Sequence, residues 1–378
     1  MGWQAPNTQR FYIWLSYIMC YTGTGDSRWW DINQEHILLK LAYYHRYVLY
    51  FGSACCLISQ MGYIYLHFHD MPFSVVGIVF TILPAILISS QFNNYIKLMK
   101  SFLKETHVIN FNDGNEVIRK VRKEFYYCIA TTVLECISWP TFTGLSNISI
   151  MEAVKNNTAP MHTVLYLLLP FDYEHEFKYF IGVHLMNTYI VIAACVTQSS
   201  FHTINVMIIY NFIGHIEILK HKIRSAVFED CSDEEVSTKL IDIIKYHTFV
   251  IRTYEEIESG LSFGIALTYL YNLVADSLSL VQIMVGEKDS IVVYILMIVV
   301  FVGYLILISL SLEEIQRQTD DLPDMIYEWP WESMSLPNQK MVIMILARMQ
   351  PQLDRACLGN GKNCLCLVKD TKSYYGRR

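Results

Sequence analysis

Six runs of mostly apolar residues punctuate the chain, at Tyr47–Phe68, Phe73–Ser90, Phe125–Leu145, Phe180–Ser200, Gly260–Gly286 and Ser290–Leu312, and none contains Lys or Arg. A bilayer core about 30 Å thick needs about 17 to 25 apolar residues per helix, because a helix rises 1.5 Å per residue and lipid offers the backbone no hydrogen-bond partner. The pattern therefore predicts an all-α fold, a polytopic membrane helix bundle with six recognisable spans. Pro84 in the second run and Pro140 in the third predict kinks that neighbouring helices accommodate. Between runs the spacing changes character. Ile208–Arg224 places Ile209, Ile213, Ile216 and Leu219 on one helical face, and Glu234–Ser259 does the same with Leu240, Ile243, Ile244, His247, Ile251 and Tyr254. These stripes predict helical extensions beyond the spans that pack against one another.

Composition agrees with lipid as the natural solvent. Of 378 residues, 53% are hydrophobic and 17% charged, where a soluble domain carries about 25% charged residues. A net charge of -6 leaves no basic field for a phosphate backbone and excludes nucleic acid as a partner. The first 25 residues lack the apolar core and small-residue cleavage site of a signal peptide, so the first run is expected to act as its own insertion signal. Counting Lys and Arg in alternate connections puts 26 on one side and 3 on the other. Cationic loops resist translocation, so the N-terminus is expected in the cytoplasm, and after six spans the C-terminus too. The glycosylation sequons at Asn147 and Asn156 both fall in the third connection, which the charge count places outside. The organisation expected is a cytoplasmic segment over 1–46, the bundle over 47–312, pre-terminal helices over 313–351 and an atypical tail over 352–378.

No enzyme signature emerges. Gly260-Leu-Ser262-Phe-Gly264 matches a nucleophile elbow in letters, but an acidic helix precedes it where a strand is required. Gly359-Asn-Gly361-Lys362 lacks the gap of a phosphate-binding loop, and His175-Glu176 lacks a second histidine for zinc. Cys357, Cys364 and Cys366 do not form a paired zinc knuckle, and no cofactor or metal is expected. None of the ten cysteines lies in an external connection.

Ionisable side chains within lipid-spanning segments are costly and mark candidate sites. Glu135 lies mid-span in the third run, His184 near the outer end of the fourth and Asp276 past the middle of the fifth. Trp139, Phe142, Tyr189 and Tyr294 fall in outer halves of spans, where aromatic walls with few polar groups form small-molecule pockets. For each of these residues, core packing or lipid contact is the competing reading.

Several local strings resemble the insect odorant receptors. Leu169-Pro170-Phe171-Asp172 looks like the loop before that family's fourth helix, and Ile244-Lys-Tyr-His247 followed by Leu261-Ser262-Phe263 resembles the approach to its fifth. Leu312-Glu313-Glu314, Ile326-Tyr327, Trp331 and Leu346-Ala347-Arg348-Met349-Gln350-Pro351 match its pre-terminal helices in order and spacing. The resemblance spans about residues 1–351 and is best from Tyr246 onward. It implies a seven-helix olfactory receptor of inverted topology, the odorant-binding subunit of a ligand-gated cation channel. Its implied partners are a small volatile odorant, membrane lipid and the shared olfactory co-receptor, in a hetero-oligomer whose subunits are anchored near Trp331 and Arg348. Beyond Pro351 this sequence departs from the family, holding no apolar run for a seventh, pore-lining helix, so a non-conducting shortened form is one expected alternative. A gustatory receptor is the nearest other reading. A secondary transporter is the reading from another class, but the repeat-like halves it requires are not found.

Overall fold

The computed structural model describes residues 10–21, 37–67, 114–156, 158–163, 165–285 and 291–349. The helices are α1 (Arg10–Tyr21), α2 (Ile37–His67), α3 (Gly114–Ser149), α4 (Met151–Lys155), α5 (Phe177–Arg224), α6 (Asp233–Val285), α7 (Ile291–Asp320), α8 (Leu322–Tyr327) and α9 (Leu336–Met349), with a short 3-10 turn at Trp331–Ser333. No strand occurs among the described residues. The second predicted span, 73–90, and the tail, 352–378, lie outside them.

The expected extensions are present as unbroken continuations of the spans. At 1.5 Å per residue, the 48 residues of α5 and the 53 of α6 reach about 70 to 80 Å, more than twice a bilayer core. The main core sits in these projecting halves. Ile209, Ile213, Ile216 and Leu219 of α5 meet Leu240 and Ile243 of α6, with Ile308 and Ile315 of α7 and Val342 and Ile345 of α9 closing the cluster. The other halves turn apolar side chains outward, among them Leu185, Leu273, Met284 (84% exposed) and Val299. Such continuous apolar exposure is stable only against lipid.

By length and composition, four helices among the described residues can cross a membrane: Lys40–Leu66, Phe177–Arg224, Asp233–Met284 and Tyr294–Tyr327. The third predicted span falls within α3, a single helix that continues through Pro140. α3 is more polar than these four because it carries Glu135, Thr131, Thr132 and Ser138. Those groups face the bundle: Thr132, Glu135 and Ser138 are all buried.

Helix ends follow local chemistry. α6 opens on Asp233, Glu234 and Glu235, which suit its positive N-terminal dipole, while α5 closes on His221, Lys222 and Arg224. Ser232 and Glu235 form a capping box: the Ser232 N–H donates to the Glu235 carboxylate at 2.9 Å and the Glu235 N–H to Ser232 Oγ at 3.4 Å. Between the two helices Asp230 adopts φ 56°, a left-handed conformation that aspartate tolerates better than most residues.

The pre-terminal segment is pinned to these long helices. Trp329 Nε1 donates to the Ile223 carbonyl at 3.2 Å, capping α5, and its ring stands edge-on to Phe228. Lys220 Nζ reaches Gln318 at 2.9 Å and Asp321 at 3.1 Å. Asn338 of α9, fully buried, accepts from Ser237 Oγ at 2.7 Å and donates to Asp233. Trp331, the tryptophan singled out by sequence, packs half-buried beside Tyr327, and Arg348 is exposed. Trp329→Ala removes a buried ring and leaves a helix-end carbonyl without its partner, and large-to-small substitutions of this kind cost about 3 to 5 kcal/mol. Its detergent-solubilised product should lose monodispersity at a clearly lower temperature in a thermal-shift chromatography assay, whereas Trp331→Ala should move the transition far less.

Candidate ligand site within the bundle

Residues 158–163 and 165–176 fold back onto the bundle between α2 and α5 and form a plug over its end. Met161, Leu165, Leu167 and Tyr173 are buried there, packed with Cys56 of α2, with Val183 and Val191 of α5, and with Val154 and Phe180. Backbone groups inside the plug are satisfied by side chains, as burial requires. Asn187 Nδ2 donates to the Leu165 carbonyl at 2.8 Å, Ser59 Oγ to that of Leu168 at 2.8 Å, and the Leu167 N–H donates to Tyr173 Oη at 3.0 Å. Asp172 accepts the N–H groups of Glu174 and His175 at 3.0 and 3.1 Å and pairs with the His175 ring at 3.0 Å. The Leu169-Pro170-Phe171-Asp172 string is thus a turn that launches α5. Desolvation opposes ionisation of Asp172, but these hydrogen bonds outweigh it and hold the carboxyl below the usual aspartate range. Burial pushes the Tyr173 phenol up to about 12.

Asn147, read from sequence as an exposed glycosylation acceptor, is buried at 4% exposure. Its Nδ2 donates to the carbonyls of Thr143 at 2.9 Å and His162 at 2.7 Å, and its Oδ1 accepts the His162 N–H at 2.6 Å. The carboxamide clamps α3 to the plug, so its nitrogen is not free for a sugar in the folded state. Asn156, past the end of α4, is exposed.

Beneath the plug the bundle interior is polar in an ordered way. Thr131 of α3 and Ser199 of α5 both meet the Tyr304 hydroxyl of α7, at 2.8 and 3.1 Å; Thr132 hydrogen-bonds Ser199, and the His202 ring stacks on Tyr304 with centroids 4.5 Å apart. This knot joins three helices. Beside it, Tyr271 of α6 belongs to an apolar cluster with Ala275, Met297 and Phe301, against which Tyr294 packs. The Tyr271 hydroxyl lies beside the Gln198 side chain of α5.

Tyr294 thus packs beside Tyr271, a residue not picked out from the sequence, while Glu135 is buried on α3 and Asp276 is half-buried on α6. His184 stands apart near the plug, stacked on Phe180 at 5.4 Å. Phe142 is half-buried further along α3, and of Trp139 only the helical backbone is described. Tyr189 is directed elsewhere: its hydroxyl bonds His45 of α2, whose other ring nitrogen meets the carbonyl of Tyr21 at the end of α1 at 2.9 Å. The missed residues left a signal in the polar positions of two apolar spans. Thr268, Asn272, Ser279 and Gln282 share the buried stripe of α6, and Asn187, Gln198, His202 and Asn205 recur at helical spacing along α5.

With this geometry in place, comparison with known proteins identifies the family. Residues 71–356 match the family profile described as 7tm Odorant receptor. The chain belongs to the odorant receptor family. Its fold is similar to the insect olfactory receptor OR5 from Machilis hrabei at 11% identity and a TM-score of 0.62, covering 90% of this chain and 89% of that one. The same receptor in complex with eugenol superposes with a TM-score of 0.60 at 12% identity, covering 90% of each chain. None of the curated proteins matches. The chain is thus a multi-pass membrane receptor, not an enzyme.

Removing the Asp172 side chain should loosen the plug without touching the bundle interior. Asp172→Ala is expected to increase cleavage by chymotrypsin within 161–176 several-fold in native membranes, as read by mass spectrometry of the fragments. Because the folded carboxyl titrates below its unfolded value, its contribution is complete above about pH 4 and disappears as pH falls through the depressed folded pKa. Wild-type protection against pepsin should fail in that acidic window, and Asp172→Ala should show no such transition.

Proposed function

We propose that this chain is the odorant-binding subunit of an odorant-gated cation channel and acts with the shared olfactory co-receptor. The observation that carries this reading is the family match over 71–356, joined to an aromatic and polar bundle interior built from α3, α5, α6 and α7. Small-molecule sites are commonly apolar enclosures with a few convergent polar groups. The relative solved with eugenol supports a small volatile as the ligand class. Tyr294, Glu135 and the neighbouring aromatic residues Trp139 and Phe142 form the ligand wall in this reading, with His184 nearer the plug. Binding promotes opening to the extent that the odorant prefers the open arrangement. The exposed Arg348 and the half-buried Trp331 of the pre-terminal segment meet neighbouring subunits in this reading. The charge asymmetry of the connections supports a cytoplasmic N-terminus in the cell membrane, and the exposure of Asn156 supports a glycan there.

Cells expressing this chain with the co-receptor should show calcium transients to members of a broad panel of volatiles, above those of the co-receptor alone. Silence across the panel, with the chain detected at the cell surface, would refute the reading. Glycosidase treatment should shift the wild-type band, and Asn156→Gln should remove most of that shift while Asn147→Gln destabilises the protein. An N-terminal epitope stained without permeabilisation would reverse the topology.

A further inference from the structure

The outward face of α2 changes chemistry over its first turns. Tyr43, Tyr44, Tyr47 and Tyr50 are exposed there, with Lys40 one turn before them on the same side. Ser59 of this helix is bonded to the plug, and at 1.5 Å per residue Arg46 lies about 20 Å and Lys40 about 29 Å from it. In a bilayer core about 30 Å thick, the two cations therefore belong to the interface opposite the plug, which long side chains reach by extending along the helix. The Arg46 guanidinium lies 3.9 Å from the Tyr43 ring centroid and 4.9 Å from that of Tyr47, and the two rings stand edge-on at 5.6 Å. Arg46 Nη2 donates to Tyr47 Oη at 3.0 Å, and Tyr47 Oη donates in turn to Tyr43 Oη at 3.2 Å. The relay ends on the Tyr43 O–H, which keeps its own hydrogen to give. α2 contains no Asp or Glu, and among the described residues no carboxylate pairs with Arg46 or Lys40.

We propose that Lys40, Tyr43, Arg46 and Tyr47 bind the phosphate of an anionic glycerophospholipid, whose acyl chains lie along the exposed apolar continuation of the same helix at Val48, Phe51 and Ile58. This inference goes beyond odorant binding and does not depend on it. The groups the cluster offers outward are donors, namely guanidinium N–H, ammonium N–H and the terminal phenol O–H. Their complement accepts only and carries negative charge, as a phosphodiester does. Contact with two aromatic faces orients the guanidinium before the lipid arrives, so its planar fork is ready for two phosphate oxygens. Tyrosine rings favour headgroup depth, which is where such a phosphate sits. An anionic lipid fits better than a zwitterionic one, because a choline would bring a second cation to a surface with no carboxylate to receive it. In the topology proposed above this end of α2 faces the cytoplasm, whose leaflet holds the anionic phospholipids.

The test is native mass spectrometry of the full chain in detergent, mixed with equal amounts of phosphatidylserine and phosphatidylcholine bearing the same acyl chains, a format that is independent of how the chain inserts. Occupancy by phosphatidylserine should exceed that by phosphatidylcholine about fivefold, a difference of about 1 kcal/mol. Arg46→Ala should remove most of that preference, and Arg46→Lys, which keeps the charge without the planar fork, should remove part of it. Tyr43→Phe keeps the ring, removes the terminal O–H and should weaken phosphatidylserine alone. Arg224→Ala takes the same charge from the far end of α5 and should leave the preference unchanged, with size-exclusion chromatography reporting that every variant is folded. Equal occupancy by the two lipids in the wild type, or an equal loss in Arg46→Ala and Arg224→Ala, would reduce the effect to general attraction and overturn the site. Displacement of the lipid by excess inorganic phosphate would overturn the lipid as its occupant.

Discussion

In hydrocarbon a peptide N–H or C=O has no solvent to bond, so each must find its partner within the protein. That constraint shapes this receptor more than any side-chain contact. It makes the chain helical wherever it meets lipid, and it lets α5 and α6 run for 48 and 53 residues without a break, since a break at membrane depth would release carbonyls with nothing to receive. It also forces the 158–176 plug, where the backbone is not helical, to draw on Asn147, Asn187, Ser59 and Tyr173 for its hydrogen bonds. One irregular segment is thereby tied to α2, α3 and α5 at once.

Because the long helices outlast the bilayer, the molecule has two interiors of different kinds. The projecting half is built like a water-soluble bundle, with an aliphatic core and capped ends, and Trp329, Lys220 and Asn338 tie the pre-terminal segment to it. The membrane half faces lipid with its apolar side chains and turns polar ones inward. There the hydrophobic effect supplies little force between helices, so packing and hydrogen bonds decide how they meet. Thr131, Thr132, Ser199 and Tyr304 form a satisfied knot that fixes α3, α5 and α7 together.

Much of this was readable from spacing. The stripe Ile209, Ile213, Ile216 and Leu219 does pack in one core with Leu240 and Ile243, with Ile244 and Tyr254 partly buried against it and His247 buried nearby in sequence, because a helix of known pitch puts such residues on one side; Ile251 of the same expected stripe is not part of that core. The polar residues were harder to place. Tyr189 and Tyr294 look alike in sequence, each an aromatic in an apolar span, yet one is held by His45 and the other packs beside Tyr271. Trp329 and Trp331 stand two residues apart, and it is the former that is buried.

The sequence by itself determined the helical character of the chain, its affinity for lipid and the long extensions of two spans, since each depends only on residue order along one chain or one helix. The tertiary structure alone decided that Asn147 is a clamp, that Tyr189 turns toward α2, and that Tyr294 packs beside Tyr271. Each of those outcomes depends on what a neighbouring helix, distant in sequence, presents at the same depth, and no periodicity within a single segment carries that information.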